Sequence, residues 1–251
     1  MKKWMPALLL VLLVCAAPAA RAIVEIEGYY WFMQPSGTAA VGLEGLAGTE
    51  VDLRDDFGYG SQVGVPGARL ILGDLFQVGA EYFRFNMSAE NNISRVIKFN
   101  ELEYPVEADV ATRLEATFLR GFVRLNAGSD IVHGGLLAGG QYMTFDARAS
   151  SSLVGSTEKD VQTGMPLVGA FLEVAPAPFL DLRGSITGFK WDFGDITAKF
   201  IELEGSALLR IDPFYAGAGW RYLQAHGVYD QYPVDVDIRL SGPMVFVGLR
   251  W

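Results

Sequence analysis

Acidic and basic side chains recur at every second position of otherwise apolar segments, and any chemistry this chain performs must be built from them. The main set is Glu81, Glu173, Asp181, Arg183, Glu202, Glu204, Arg210, Arg221, Asp235, Asp237 and Arg239. Carboxylates and guanidiniums gathered on one face of a sheet can neutralise one another and fill a confined space, because a charge taken out of water without a partner costs several kcal/mol. They can also line a polar path for small solutes or ions, with an acidic excess selecting cations. A second acidic group, Asp52, Asp55 and Asp56 within Glu50 to Gly60, has oxygen donors for a divalent cation. Its spacing lacks the alternation of a calcium loop and no distal Glu closes it. A solvated loop, or a segment folded into the mouth of the structure, is therefore expected there, and no metal site. No P-loop, zinc spacing, GxSxG elbow or dinucleotide fingerprint occurs, so no cofactor is expected.

The elements that must position these charges are β-strands. In 179–187, Leu180, Leu182 and Ile186 alternate with Asp181, Arg183, Ser185 and Thr187; in 201–211, Ile201, Leu203, Ala207, Leu209 and Ile211 alternate with Glu202, Glu204, Ser206 and Arg210. Period two with one apolar and one charged face marks a two-faced sheet. Tight turns at Gly73-Asp74, Asn126 to Asp130, Ala175 to Pro178 and Asp212-Pro213 alternate with longer connections at 34–60, 90–105, 150–159, 193–196 and 229–233. The expected strands are 23–33, 62–72, 75–89, 106–125, 131–149, 160–175, 179–192, 197–211, 214–228 and 234–251. This predicts an all-β chain, a closed antiparallel transmembrane β-barrel of about ten strands with its apolar face outward. Eight or twelve remain open, because 38–48 or 93–103 could pair as a further hairpin.

A tight turn at 211–214 puts Glu204 opposite Arg221. The last strand breaks phase: Val234, Val236, Ile238 and Leu240 are even, Val245, Val247, Leu249 and Trp251 odd. A one-residue bulge at Gly242-Pro243 would reconcile them and turn Asp235, Asp237 and Arg239 inward. Segments 106–125 and 131–149 alternate poorly. An enzyme would have to use His133 or His226. The phase of Trp220 and Tyr222 turns His226 outward, on the face opposite Asp235 and Asp237, which makes it a surface histidine.

The ends and the composition agree with export. Lys2 and Lys3, the apolar run Ala7 to Val14 and Ala20-Arg21-Ala22 read as a signal peptide cleaved after residue 22, leaving 23–251 as a single domain. Cleavage removes Cys15, the only cysteine, and with it any disulfide or thiolate site. It also leaves 17 basic against 29 acidic residues, a balance that disfavours nucleic acid. Hydrophobic content is 51%, yet no apolar run beyond the signal approaches the ~20 residues of a spanning helix. Tyr29, Trp31, Trp191, Trp220, Tyr222 and Trp251 are expected in the aromatic belts of a membrane interface.

With that signal, the runs Gly217-Ala218-Gly219-Trp220-Arg221-Tyr222 and Gly242-Pro243-Met244-Val245-Phe246-Val247-Gly248-Leu249-Arg250-Trp251 resemble the small outer-membrane β-barrel proteins of Gram-negative bacteria, the OmpA-like and OmpW-like superfamily. The resemblance implies residence in the bacterial outer membrane as a monomer. It also implies contact with outer-membrane lipid and lipopolysaccharide, and insertion by the barrel-assembly machinery through the C-terminal strand. It does not imply a substrate. The function expected is non-catalytic: a narrow channel for small solutes or ions, or a structural surface barrel. The alternatives are a barrel enzyme, a lipid acyl hydrolase or protease using His226, or a barrel that binds or passes hydrophobic ligands.

Overall fold

Regular alternation with turn residues between the segments folds the chain back and forth on itself. The computed structural model describes residues 24–41, 49–92, 97–99, 102–104, 109–129, 131–151, 155–193, 196–229 and 234–251. The expected signal peptide, 1–22, lies outside them. In chain order the strands are β1 (Val24–Val41), β2 (Val51–Asp52), β3 (Val63–Gly73), β4 (Phe76–Asn92), β5 (Ile97–Phe99), β6 (Leu102–Tyr104), β7 (Asp109–Gly128), β8 (Val132–Ser151), β9 (Gly155–Ala177), β10 (Leu180–Phe193), β11 (Ile196–Ile211), β12 (Phe214–Tyr229) and β13 (Val234–Arg250). Ten of them pair in the order β1, β3, β4, β7 through β13, and β13 returns to β1, so the sheet is a closed antiparallel barrel. The short β2 pairs with the far end of β1, while β5 and β6 form a hairpin of their own. Among the described residues, the segments that left eight or twelve strands open add no further strand to the wall.

The barrel carries its apolar surface outward. At the turn end Phe76, Phe179, Phe214 and Trp251 are exposed. Leu125, Val123, Leu136, Leu209 and Val247 follow above them, and Tyr30, Tyr82, Tyr142 and Trp220 mark the upper edge. Beyond that edge the outer face turns charged: Arg84 and Arg113 pair with Glu115, and Arg148 with Glu158. An apolar band bounded by aromatic rings matches the hydrocarbon layer and its interfaces. β7 and β8 have 20 residues each, about twice the 9–11 that cross a bilayer, so the wall continues well past the membrane on the loop side.

One register expectation is corrected. β13 holds a single register along β12, from Phe214↔Leu249 to Tyr229↔Val234, and no bulge interrupts it. Against β1 the pairing is the same on both sides of Gly242-Pro243, at Trp31↔Met244 and Gln34↔Ser241. Proline has no N–H for the ladder, and the strand leaves out that local pairing without inserting a residue. Gly242 serves another purpose. A Cβ there would lie 1.9 Å from the Phe32 carbonyl oxygen, at the seam where last strand meets first. Gly242→Ala is expected to weaken barrel closure by roughly 1–3 kcal/mol, as overpacking does. Gly205→Ala, whose Cβ would meet nothing within 4 Å, should be neutral. Urea unfolding of both variants in lipid vesicles checks the contrast, and equal stability would contradict it.

Candidate functional site

Side chains on the inner face meet in a lumen with two tiers. In the tier toward the turns, guanidiniums and carboxylates reach across the barrel. Arg221 (β12) lies between Glu81 (β4), 2.7 Å away, and Glu204 (β11), its own register partner. Arg69 (β3) contacts Glu204 at 2.8 Å, Glu81 at 3.3 Å and Glu27 (β1) at 3.3 Å. Arg120 (β7) grips Glu202 (β11) through both terminal nitrogens and donates through Nε to Gln141. Nearer the turns, Arg183 (β10) meets Glu25 at 2.7 Å, and Arg250 (β13) joins Glu25 at 2.7 Å to Glu173 (β9) at 3.0 Å. Half of these ties join strands that are not neighbours in the sheet. Hydroxyls complete them: Tyr29 donates to Glu81 at 2.8 Å and accepts from Arg221, and Tyr215 donates toward Glu25 and Glu27.

The tier toward the loops is apolar. Trp31, Met33, Phe83, Phe85, Met87, Phe118, Met143, Leu167, Phe200 and Leu223 are buried there, with Phe83 and Phe118 stacked at 4.4 Å. The acidic segment packs onto them from the loop end. Val51, Leu53, Phe57 and Tyr59 insert into the apolar cluster, while β2 pairs with β1. Its aspartates hold the turn. Asp52 accepts from the amides of Arg54 and Asp55 at 2.8 and 2.9 Å, Asp56 accepts from the amide of Asp52 at 2.8 Å, and Asn91 of β4 donates to the carbonyls of Asp55 and Asp56. Beside Arg69, Glu173 and Glu204 lies a cavity of about 20 Å³, enough for about one water molecule.

The structure brings together Glu81, Glu173, Arg183, Glu202, Glu204 and Arg221 in the lumen, with Asp181 and Arg210 paired at 3.4 Å near the turns. It separates Asp235, Asp237 and Arg239 from them. Without the bulge these three lie on the outer face, where Arg239 contacts Asp237 at 2.8 Å and Gln224 donates to Asp237 at 3.0 Å. Partial burial raises the Asp237 carboxyl, but the Gln224 hydrogen bond and Arg239 outweigh it and hold the group below its ordinary range. His226 shares that face, 3.8 Å from Asp235, and not the face opposite. His133 points inward and lies 3.2 Å from Glu173.

Of the expected interface aromatics, Trp220, Tyr222 and Trp251 are on the outside. Tyr29 and Trp31 are not: both are buried in the lumen, where Trp31 donates to the Gly242 carbonyl and lies under Arg221. They occupy the odd positions of β1, in phase with Glu25 and Glu27. Trp191, by the alternation of β10, shares the inner face with Asp181 and Thr187 and stands exposed at the loop rim. Sequence reasoning missed Glu25, Glu27, Arg69, Arg120, Arg124 and Arg250. The alternation of Glu25 and Glu27 with Val24 and Ile26 could have found the first two.

No protein-family model and no curated protein sequence matches the chain. Solved structures do. The outer membrane protease OmpT of Escherichia coli superposes with a TM-score of 0.60 at 12% identity, covering 91% of this chain and 97% of that one. Weaker likenesses, at TM-scores of 0.34 and 0.37, are to the attachment invasion locus protein Ail of Yersinia pestis (10% identity, 92% of this chain and 100% of that one) and the toluene transporter TodX of Pseudomonas putida (8% identity, 94% and 92%). By its fold the protein is a small outer-membrane β-barrel, and the bacterial outer membrane is where its apolar band and closed sheet belong. In outer-membrane barrels generally, short turns face the periplasm and longer loops face outward.

Because Arg221 is fully buried among Glu81, Glu202 and Glu204, Arg221→Met should cost about 3–5 kcal/mol, the penalty for stranding a buried charge. Adding Glu204→Gln should recover part of that loss. Denaturant unfolding of the single and double variants in vesicles measures the coupling, and additive losses would contradict it.

Proposed function

We propose that this protein is a closed, non-catalytic outer-membrane barrel that works as a rigid scaffold and presents its tall extracellular wall. The observation that carries the reading is the filled lumen. Ion pairs bridge the periplasmic tier, aromatic and methionine side chains occupy the outer one, and Val51, Leu53, Phe57 and Tyr59 cap it. A conducting path would need a continuous column of water, and the charges that would line it are spent on one another. The histidines support the same reading. His133 is engaged by Glu173 inside the barrel, and His226 faces outward beside Asp235. Just above the aromatic edge, Arg84, Arg113 and Arg148 stand at the level of lipid head groups, a position suited to contact with the outer leaflet.

Planar-bilayer recording of the refolded protein tests this. Wild type should give no discrete conductance steps. Deleting residues 49–60 should leave it silent, because the charged tier beneath still closes the barrel. Reproducible cation-selective steps from the wild type would replace this reading with a channel.

A further inference from the structure

One seam of the barrel stops short of the rim. β9 and β10 pair from Leu180↔Ala177 to Gly188↔Val168 and no further among the described residues, although β9 starts at Gly155 and β10 runs to Phe193. Continued in register, Pro166 would face Lys190. β8 pairs with β9 unbroken through Gly140↔Pro166, so the proline's missing N–H falls on the β10 side. The ladder to β10 ends where that donor is lacking.

In a strand, N–H and C=O groups point to alternating edges. Ser156, Glu158, Asp160, Gln162 and Gly164 share the phase of Pro166 and turn theirs away from β8. All five residues are exposed, and among the described residues no strand pairs with that edge. An open edge is a template for a further strand. Its lumen side is apolar: Leu167 is buried, Met165 packs against the upper cluster, and across the seam Phe189 and Trp191 of β10 lie 5.8 Å apart. Its outer side is acidic. Asp160 stands directly opposite Asp146 of β8. Like charges so placed destabilise a sheet, and a basic side chain on an added strand would relieve them.

We propose that the β9 edge at residues 156–164 is a docking site for an extended segment of another polypeptide, added to the sheet as an antiparallel strand. The segment alternates apolar residues, which turn to the lumen side, with basic or polar ones that meet Asp146 and Asp160. Two copies of this barrel in one membrane hold β9 in the same direction, so neither offers the other an antiparallel β9. A docking edge deepens the scaffold reading above; conductance and peptide binding are read separately, so either can fail alone.

The probe is a fluorescein-labelled decapeptide of alternating valine and lysine, titrated into the refolded protein in phosphatidylcholine nanodiscs and followed by anisotropy. Binding should saturate. Gln162→Pro should weaken it roughly tenfold, the cost of a hydrogen bond lost from the free edge, while Gln162→Ala keeps it. Pro166 shows that β9 accepts proline in this phase with its β8 ladder intact, and neither substitution changes the charge. By NMR, the amides of Glu158, Asp160, Gln162 and Gly164 should exchange freely in the protein alone and slowly once peptide is added. The absence of saturable binding would overturn the proposal. Equal affinity for wild type and Gln162→Pro would do the same, since it means attraction by charge alone, as would amides already protected without peptide, the sign of a dimer. If Gln162→Pro does not refold, the exchange measured on the wild type decides.

Discussion

Charge inside a closed wall has nowhere to go. A carboxylate or guanidinium that faces the lumen is cut off from bulk water on one side by the sheet and on the other by its opposite numbers, so it must find a partner within the barrel. Here the partners come from across the lumen. Arg69 of β3 reaches Glu204 of β11, Arg120 of β7 reaches Glu202 of β11, Arg221 of β12 reaches Glu81 of β4, and Arg183 of β10 reaches Glu25 of β1. The backbone ladder joins only neighbouring strands. These ties join strands that the ladder leaves apart, so the network braces the cross-section as well as filling it.

The apolar tier follows from how far the wall rises. Strands of this height carry a lumen beyond the bilayer, and an unfilled upper barrel would leave its large inner side chains in water. Trp31, Phe83, Phe118 and Phe200 pack there instead, and the 49–60 segment supplies the last layer from above. The aspartates of that segment look like ligands for a cation when read in isolation. They instead accept backbone amides within a tight turn, a common use of Asp at such positions. The same residues that hold the turn aim Leu53 and Phe57 downward.

The fold was largely legible before the structure. Ten strands stand close to where alternation and turn residues put them, because a sheet with lipid outside and charge inside writes period two into the chain. Legibility failed where the lumen itself is apolar. In Leu114 to Leu119 both faces carry hydrophobic groups, since Ala116 and Phe118 point into the upper tier. Arg120 and Arg124, one turn of alternation further on, were lost with them. The misplaced Asp235, Asp237 and Arg239 have a single cause. Even-numbered Val236, Ile238 and Leu240 are apolar because they face the upper lumen, and in the sequence that apolarity is indistinguishable from a lipid-facing surface.

By itself, then, the sequence determined the architecture: local alternation, tight turns and the apolar–polar contrast of each strand are properties of neighbouring residues, and they suffice to specify a closed antiparallel sheet. Only the tertiary structure decided which side chains meet inside that sheet. The pairing of Arg221 with Glu81, the burial of Tyr29 and Trp31, and the capping of the mouth by Leu53 and Phe57 each join residues far apart in the chain. Such contacts depend on which side chains face one another across a curved wall. No local pattern records that, because it is set by the closure of the barrel as a whole.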